Sequence, residues 1–379
     1  MVINMKNYPA GEAENRFAAI RRGMEEDGLD VMLVYGTQWK LENVHYVANY
    51  RTLGVSACVV LPLEQDPVLF ICEPGDIVRA HDTSWIKDIR LYDGRDISGP
   101  ANLARNYGGT VGVVSLGIMT TEQRRALGKA FGDGVRDGLR VLDQAAIIKT
   151  DWEKEILREC GKLADIGFLA QIASIRPGLR EFELAADMNE AMIRAGADDN
   201  FQMLAAGRDL SCMHVPRESA IQPGDLILAE ITPMKGCITY AAQLCRTAKL
   251  GEATPVEREK YALLVTALKQ ALAIIKPGVR AGDIAKIQNR IIGAQDYEQY
   301  CRPPYMRSRG HNFGLGQFEL TEDNDMKLRP GMCMVVHPNQ YLPETGYLAC
   351  GEMVLVTETG VERLSRLTMK LYEVEEVTV

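Results

Sequence analysis

Two stretches of this chain carry the same pattern. Ser174-Ile175-Arg176-Pro177-Gly178-Leu179-Arg180 leads into Glu183-Leu184-Ala185, and Ile274-Ile275-Lys276-Pro277-Gly278-Val279-Arg280 leads into Asp283-Ile284-Ala285. Each stretch follows a helix-type run and opens another across a basic–Pro–Gly break. Proline cannot continue a helix, and glycine takes the left-handed turn that ends one. The repeat predicts a duplicated half-domain in the order helix, break, helix, strands. Two copies are too few for a solenoid, which needs three or more short repeats. They are expected to pack as a pseudo-symmetric pair with a pocket between them.

Strand-type sequence follows each helical pair. Leu226–Thr232 and Tyr240–Thr247 come after the first, and Met332–Val336 and Met353–Thr357 after the second. The expected fold class is α+β, with a mostly antiparallel sheet flanked by helices. The helices of the first pair are expected over about 151–173, capped by Asp151, and about 180–195.

The region before the repeat reads differently. A helix is expected over 13–29 from the spacing of Phe17, Ile20 and Met24. Strands follow at Val31–Tyr35, Val55–Leu61, Pro67–Cys72, Ile89–Tyr92, Thr110–Val114 and Val141–Leu142, with a helix at 121–131. This alternation predicts a smaller α/β domain. The expected division is 1–147 and 148–379.

The net charge is −8, which argues against nucleic acid or an anionic membrane as partner, since phosphates need a basic surface. The first residues lack a signal-peptide core, and no run reaches the roughly 20 apolar residues of a membrane span. The nine cysteines are odd in number and form no C-x-x-C pair. A cytoplasmic protein with reduced thiols is expected.

Only five histidines occur, and three lie in the duplicated region: His214, His311 and His337. Histidine titrates near neutral pH and binds metals, so three at strand ends suggest a site. Glu230 ends the apolar run Leu226-Ile227-Leu228-Ala229, where a carboxylate needs a partner. A turn centred near Gly236 puts Gln243 opposite Glu230, with Cys245 on the same face. His311 stands between glycines in Gly310-His311-Asn312-Phe313-Gly314. Glu352 follows Gly351 and opens the last strand.

At these residues the chain resembles the creatinase, prolidase and aminopeptidase P family, whose C-terminal domain has the pita-bread fold. The resemblance rests on His214 ahead of Gly224-Asp225, on Tyr240 with Arg246-Thr247, on Gly310-His311-x-x-Gly314-Leu315, and on Leu328-x-Pro330-Gly331-Met332. Asn43–Arg51 resembles the N-terminal domain's strand and turn, and Lys149-Thr150-Asp151 the domain junction. The family's peptidases bind two metals through two Asp, one His and two Glu. Those positions here carry Glu230, Gln243, His311, His337 and Gly351, so only the histidine is unchanged.

The resemblance to creatinase implies hydrolysis of a C–N bond in a small polar metabolite, with no cofactor and His214 as general acid/base. His311, His337, Glu230 and Glu352 complete the expected catalytic set. Tyr240, Gln243, Cys245, Phe313 and Arg51 are the expected substrate contacts. One alternative is a single divalent zinc or iron on Glu230, His311 and His337, serving a hydrolase or lyase. Another is a non-catalytic binding module. The family implies a homodimer in which each N-terminal domain lies over the partner's active site, so that Arg51 acts in trans.

Overall fold

The computed structural model describes residues 8–236 and 239–375. The N-terminal part is built on a six-stranded sheet. Its strands lie in the order Asp88–Leu91, Val68–Ile71, Ser56–Pro62, Val31–Thr37, Val111–Val114 and Val135–Asp137. Val31–Thr37 pairs antiparallel with Ser56–Pro62 and parallel with Val111–Val114. Both of these central strands are almost wholly buried, because helices cover the sheet's two faces.

Three local expectations are corrected. Val141 and Leu142 belong to the helix Leu139–Ala146, where they and Ala146 form one buried face. Val141 packs against Gly23 of the helix Glu12–Asp27. Within Asn43–Arg51 the chain is helical over Glu42–Ala48, and Asn49 ends that helix at φ 50°. The cap of Asp151–Ser174 is Thr150, not Asp151. The Thr150 hydroxyl accepts from the Glu153 N–H at 3.2 Å, and the Glu153 carboxylate accepts from the Thr150 N–H at 2.9 Å. This reciprocal pair satisfies two donors that the helix start leaves open.

The two halves of the C-terminal part repeat the same backbone bonds at their first helix starts and at their breaks. Asp151–Ser174 and Pro255–Ile274 are both capped by a threonine paired with glutamate three residues on. Gly178 (φ 81°) and Gly278 (φ 88°) make the breaks. The Gly178 N–H donates to Ile221 O at 2.8 Å, and the Gly278 N–H to Leu328 O at 2.9 Å. Bridges Arg180–Ala220 and Arg280–Lys327 follow, and then the helices Glu181–Arg194 and Ala281–Ile292.

Each half then contributes a sheet. The first runs in the order Tyr372–Val374, Leu244–Leu250, Leu226–Lys235, Asp199–Gly207, and the second Gly310–His311, Cys333–Val336, Glu352–Val356, Val361–Arg363. Every pairing along these two paths is antiparallel except that of Tyr372–Val374. The expected α+β architecture stands. The two sheets meet at a bridge between Cys245 and Gly351, where Cys245 N–H to Gly351 O is 3.3 Å and the reverse bond 3.0 Å.

Candidate active site

The junction of the two sheets is where the polar residues gather. Strand register puts Cys245 opposite Glu230. Asn339, from the second half, donates its amide to Glu230 Oε1 at 2.5 Å and accepts from the Cys350 N–H at 2.7 Å. His337 borders the same bridge. A side chain at Gly351 would start 2.7 Å from His337 Cβ and 3.0 Å from Cys245 Sγ, so the close approach of the two strands requires glycine there. The His337 and His311 rings stand edge to face with centroids 5.4 Å apart, and Phe313 packs on His311 at 4.8 Å.

The register corrects the expected pairing of Gln243 with Glu230. The turn is longer than one centred on Gly236, since pairing closes at Lys235 and Tyr240. Cys245 therefore takes the place opposite Glu230. Gln243 donates instead to Thr232 Oγ1 at 3.3 Å, and the Cys245 thiol lies 3.7 Å from Gln243 Oε1.

Burial dominates the electrostatics. It raises the Glu230 carboxyl above its usual range, against hydrogen bonds from Asn339 and Cys245. Burial, and then the nearby Glu230 charge, push the Cys245 thiol well up. It lowers His311. It takes His337 down to about 3, helped by His311 and Arg309, and His337 Nδ1 is enclosed without a hydrogen-bond partner. Near pH 7 both imidazoles are thus neutral. His311 Nδ1 lies 3.1 Å from Asn312 O. A carbonyl only accepts, so that nitrogen carries the proton and Nε2 is the free base.

The other expected residues bond to partners outside this cluster. His214 stands on the loop after Asp199–Gly207, where its carbonyl accepts from the Leu204 N–H at 2.9 Å. Its Nδ1 is 3.0 Å from Val215 O and 3.6 Å from the buried Glu181 carboxylate. No bond among the described residues joins it to Glu230, His311 or His337. Glu352 is wholly buried and held by Arg246 and, at 2.8 Å, by Arg363. Its charge is therefore neutralised inside the fold. The Tyr240 hydroxyl accepts from Arg16 at 2.9 Å, which puts it in the seam between the two parts of the chain. Arg16 there also pairs with Glu12 and packs on Tyr46, Trp85 and Trp152. Arg51 is exposed, and its carbonyl accepts from Arg79.

Two site residues escaped sequence reasoning. Asn339 follows His337-Pro338 and reads as a turn residue. Tyr347 sits in the hairpin Gln340–Leu348 with its hydroxyl beside Glu230, Cys245 and Asn339. Its N–H donates to Leu210 O at 2.6 Å, which ties the His214 loop to this hairpin. An Asn or Tyr in a loop carries no periodic signal, so only the structure finds them.

The side chains present do not fit the two-metal ligand set that the resemblance implies. Gln243 is neutral, Gly351 has no room for a carboxylate, and Glu352 Oε1 is held by two arginines. Among the described residues, no group of three or more His, Cys, Asp or Glu converges to hold a metal ion; Glu230, His311 and His337 included.

Residues 155–358 match the model of metallopeptidase family M24, and residues 16–148 that of the creatinase/prolidase N-terminal domain. An Xaa-Pro dipeptidase of Pyrococcus furiosus is 30% identical over 237 residues. That match spans 61% of this chain and 66% of the relative, just under two thirds of its length. Creatinase of a Bacillus species is 25% identical, over 94% of this chain and 90% of that protein. The solved Xaa-Pro dipeptidase from Bacillus anthracis shares the fold at a TM-score of 0.83 and 24% identity, covering 95% of this chain and 99% of its own. The expectation of a cofactor-free site is corrected by the first of these matches, because the family is one of metallopeptidases. No helix of the described residues is long and apolar enough to cross a membrane. This chain belongs to metallopeptidase family M24, a hydrolase family, and carries the creatinase/prolidase N-terminal domain ahead of the family's pita-bread domain.

Proposed function

We propose that this protein hydrolyses a C–N bond in a small polar substrate bound where the two half-domain sheets meet. The observation that carries this reading is the state of His214. Its Nδ1 proton is committed to a carbonyl with the Glu181 carboxylate behind it, which leaves Nε2 to take a proton from water and return it to the leaving nitrogen. His311 offers a free Nε2, and Glu230, held by Asn339, hydrogen-bonds or holds a cationic group of the substrate. Cys245, Gln243 and Phe313 shape the pocket's apolar and neutral wall.

The reading extends to a cytoplasmic homodimer, divided at 147/148, with Arg51 of one protomer reaching the partner's site as a carboxylate clamp. A second reading, cleavage of Xaa-Pro dipeptides, is favoured by the names of the relatives. One assay separates the two. A panel of Xaa-Pro dipeptides and small amidino, guanidino and amide compounds is incubated with the protein, and products are followed by mass spectrometry. Turnover of a small non-peptide compound that disappears in His214→Ala supports the first reading. Turnover of the dipeptides alone replaces it with the second, and turnover that survives His214→Ala removes His214 from the chemistry.

A further inference from the structure

His311 and Phe313 stand on a loop that closes on itself through one side chain. The Asn312 amide donates to Leu315 O at 3.3 Å and to Gly316 O at 2.7 Å, and its oxygen accepts from the Phe318 N–H at 2.8 Å. These three bonds make residues 311–318 one unit, so a shift of the tip is passed to His311.

The tip is held by the N-terminal domain directly at one point and, through Thr239 of the C-terminal domain, indirectly at a second. The Gly316 N–H donates to Asp143 Oδ1 at 2.9 Å, and Asp143 belongs to the helix Leu139–Ala146. The approach is close enough that a Cβ on Gly316 would lie 2.9 Å from Asp143 O and from Ile147 Cα. The second grip is at Gly314, where a Cβ would lie 2.7 Å from Thr239 O. The Thr239 hydroxyl is in turn 2.8 Å from His45 Nδ1, in the helix Glu42–Ala48. Both glycines have positive φ, 70° and 74°, so the loop's shape and its two contacts depend on each other. A hydrogen bond from a backbone N–H to a carboxylate is stronger than a neutral one. His45 is buried and Asp143 half-buried, so water competes poorly for either anchor.

We propose that Asp143 and His45 are positioning residues for His311: the N-terminal domain of the same chain sets the orientation of the imidazole from behind the loop. This rests on the reading that His311 belongs to the active site, yet its test needs no substrate. Five histidines give a sparse ring spectrum, and nitrogen-15-labelled histidine reports the tautomer and environment of each ring by NMR.

In Asp143→Ala the His311 ring signals are expected to shift and broaden while those of His214 stay native. Asp143→Asn, whose amide oxygen still accepts, restores the His311 signals. Thr239→Val keeps the side-chain shape and removes the bond to His45, so it carries the same test in a second variant. Once a substrate is known, misplacing His311 should lower kcat by up to about 10²-fold with KM little changed. A native His311 spectrum in a folded Asp143→Ala or Thr239→Val protein overturns the proposal. A shifted spectrum without loss of kcat leaves the positioning intact and removes His311 from the chemistry, so the two failures are distinguishable.

Discussion

The two halves of the C-terminal domain follow one plan and put it to different chemical use. At the start of the helix after each break, the first half has Glu181 and the second Ala281, both buried. Each backbone N–H makes the equivalent bond, to Ser219 O at 3.0 Å and to Met326 O at 2.8 Å. The Glu181 carboxylate also accepts from the Ala206 and Arg217 N–H groups, both at 2.8 Å, and faces His214. Among the described residues of the second half nothing corresponds to it. There the histidines, His311 and His337, are half-buried and neutral, with no carboxylate among the described residues bonded to either ring. A repeated backbone thus supports an imidazole backed by an acid at the rim in one half and imidazoles held uncharged in the other. The difference lies in side chains that the repeat leaves free to vary.

The comparison can be broken at its functional end first. His214→Ala should cost about 10²–10⁴ in kcat, read from product formation, whereas the fold should stay intact. An equal loss of stability would make His214 a structural residue. The next largest effect is on the joint between the halves. Arg246 comes from the first half and Glu352 from the second, and both are wholly buried. Glu352→Ala leaves Arg246 without its countercharge and should cost about 3–5 kcal/mol of stability in a denaturant titration. A cost under about 1 kcal/mol would mean that the pair does not hold the halves together.

The neutral histidines give a pH test. His337 has its folded value lowered to about 3, below the roughly 6.5 of an unfolded chain. Below that pH the unfolded chain binds a proton that the native state refuses. The stabilisation is complete above pH about 6.5 and is lost as pH falls toward 3, at up to about 1.4 kcal/mol per pH unit. His337→Gln should flatten that acid limb in stability curves, and an unchanged slope would show that His337 titrates normally. The smallest effect sharpens the symmetry. Gly178→Ala and Gly278→Ala meet no atom within 4 Å, so each should cost only the left-handed strain, about 1 kcal/mol. Costs that differ by more than that figure would mean the two breaks are not equivalent.

Much of this was legible in the residues. The repeated basic–Pro–Gly break exposed the duplication, because proline and glycine act locally through φ and a missing donor. The apolar run before Glu230 and the glycines around His311 marked the site for the same reason. The register across the Gly236–Tyr240 turn was not legible, since loop length decides it, and a shift of two residues put Cys245 where Gln243 was expected. Val141-Leu142 looked like a strand because two residues carry no period, whereas packing against Gly23 made them helical.

The sequence by itself determined the two-domain layout, the twofold plan of the larger domain and the residue types available to its candidate site. Those follow from hydrophobic spacing and backbone restrictions that each segment carries alone. The tertiary structure alone decided which polar residues are free to act. Glu352 is paired with Arg246, Tyr240 is drawn to Arg16, and Asn339 and Tyr347 enter the site from a hairpin and the residue just before it. Those outcomes depend on charge pairing and close approach between segments about 100 or more residues apart, which no local pattern encodes.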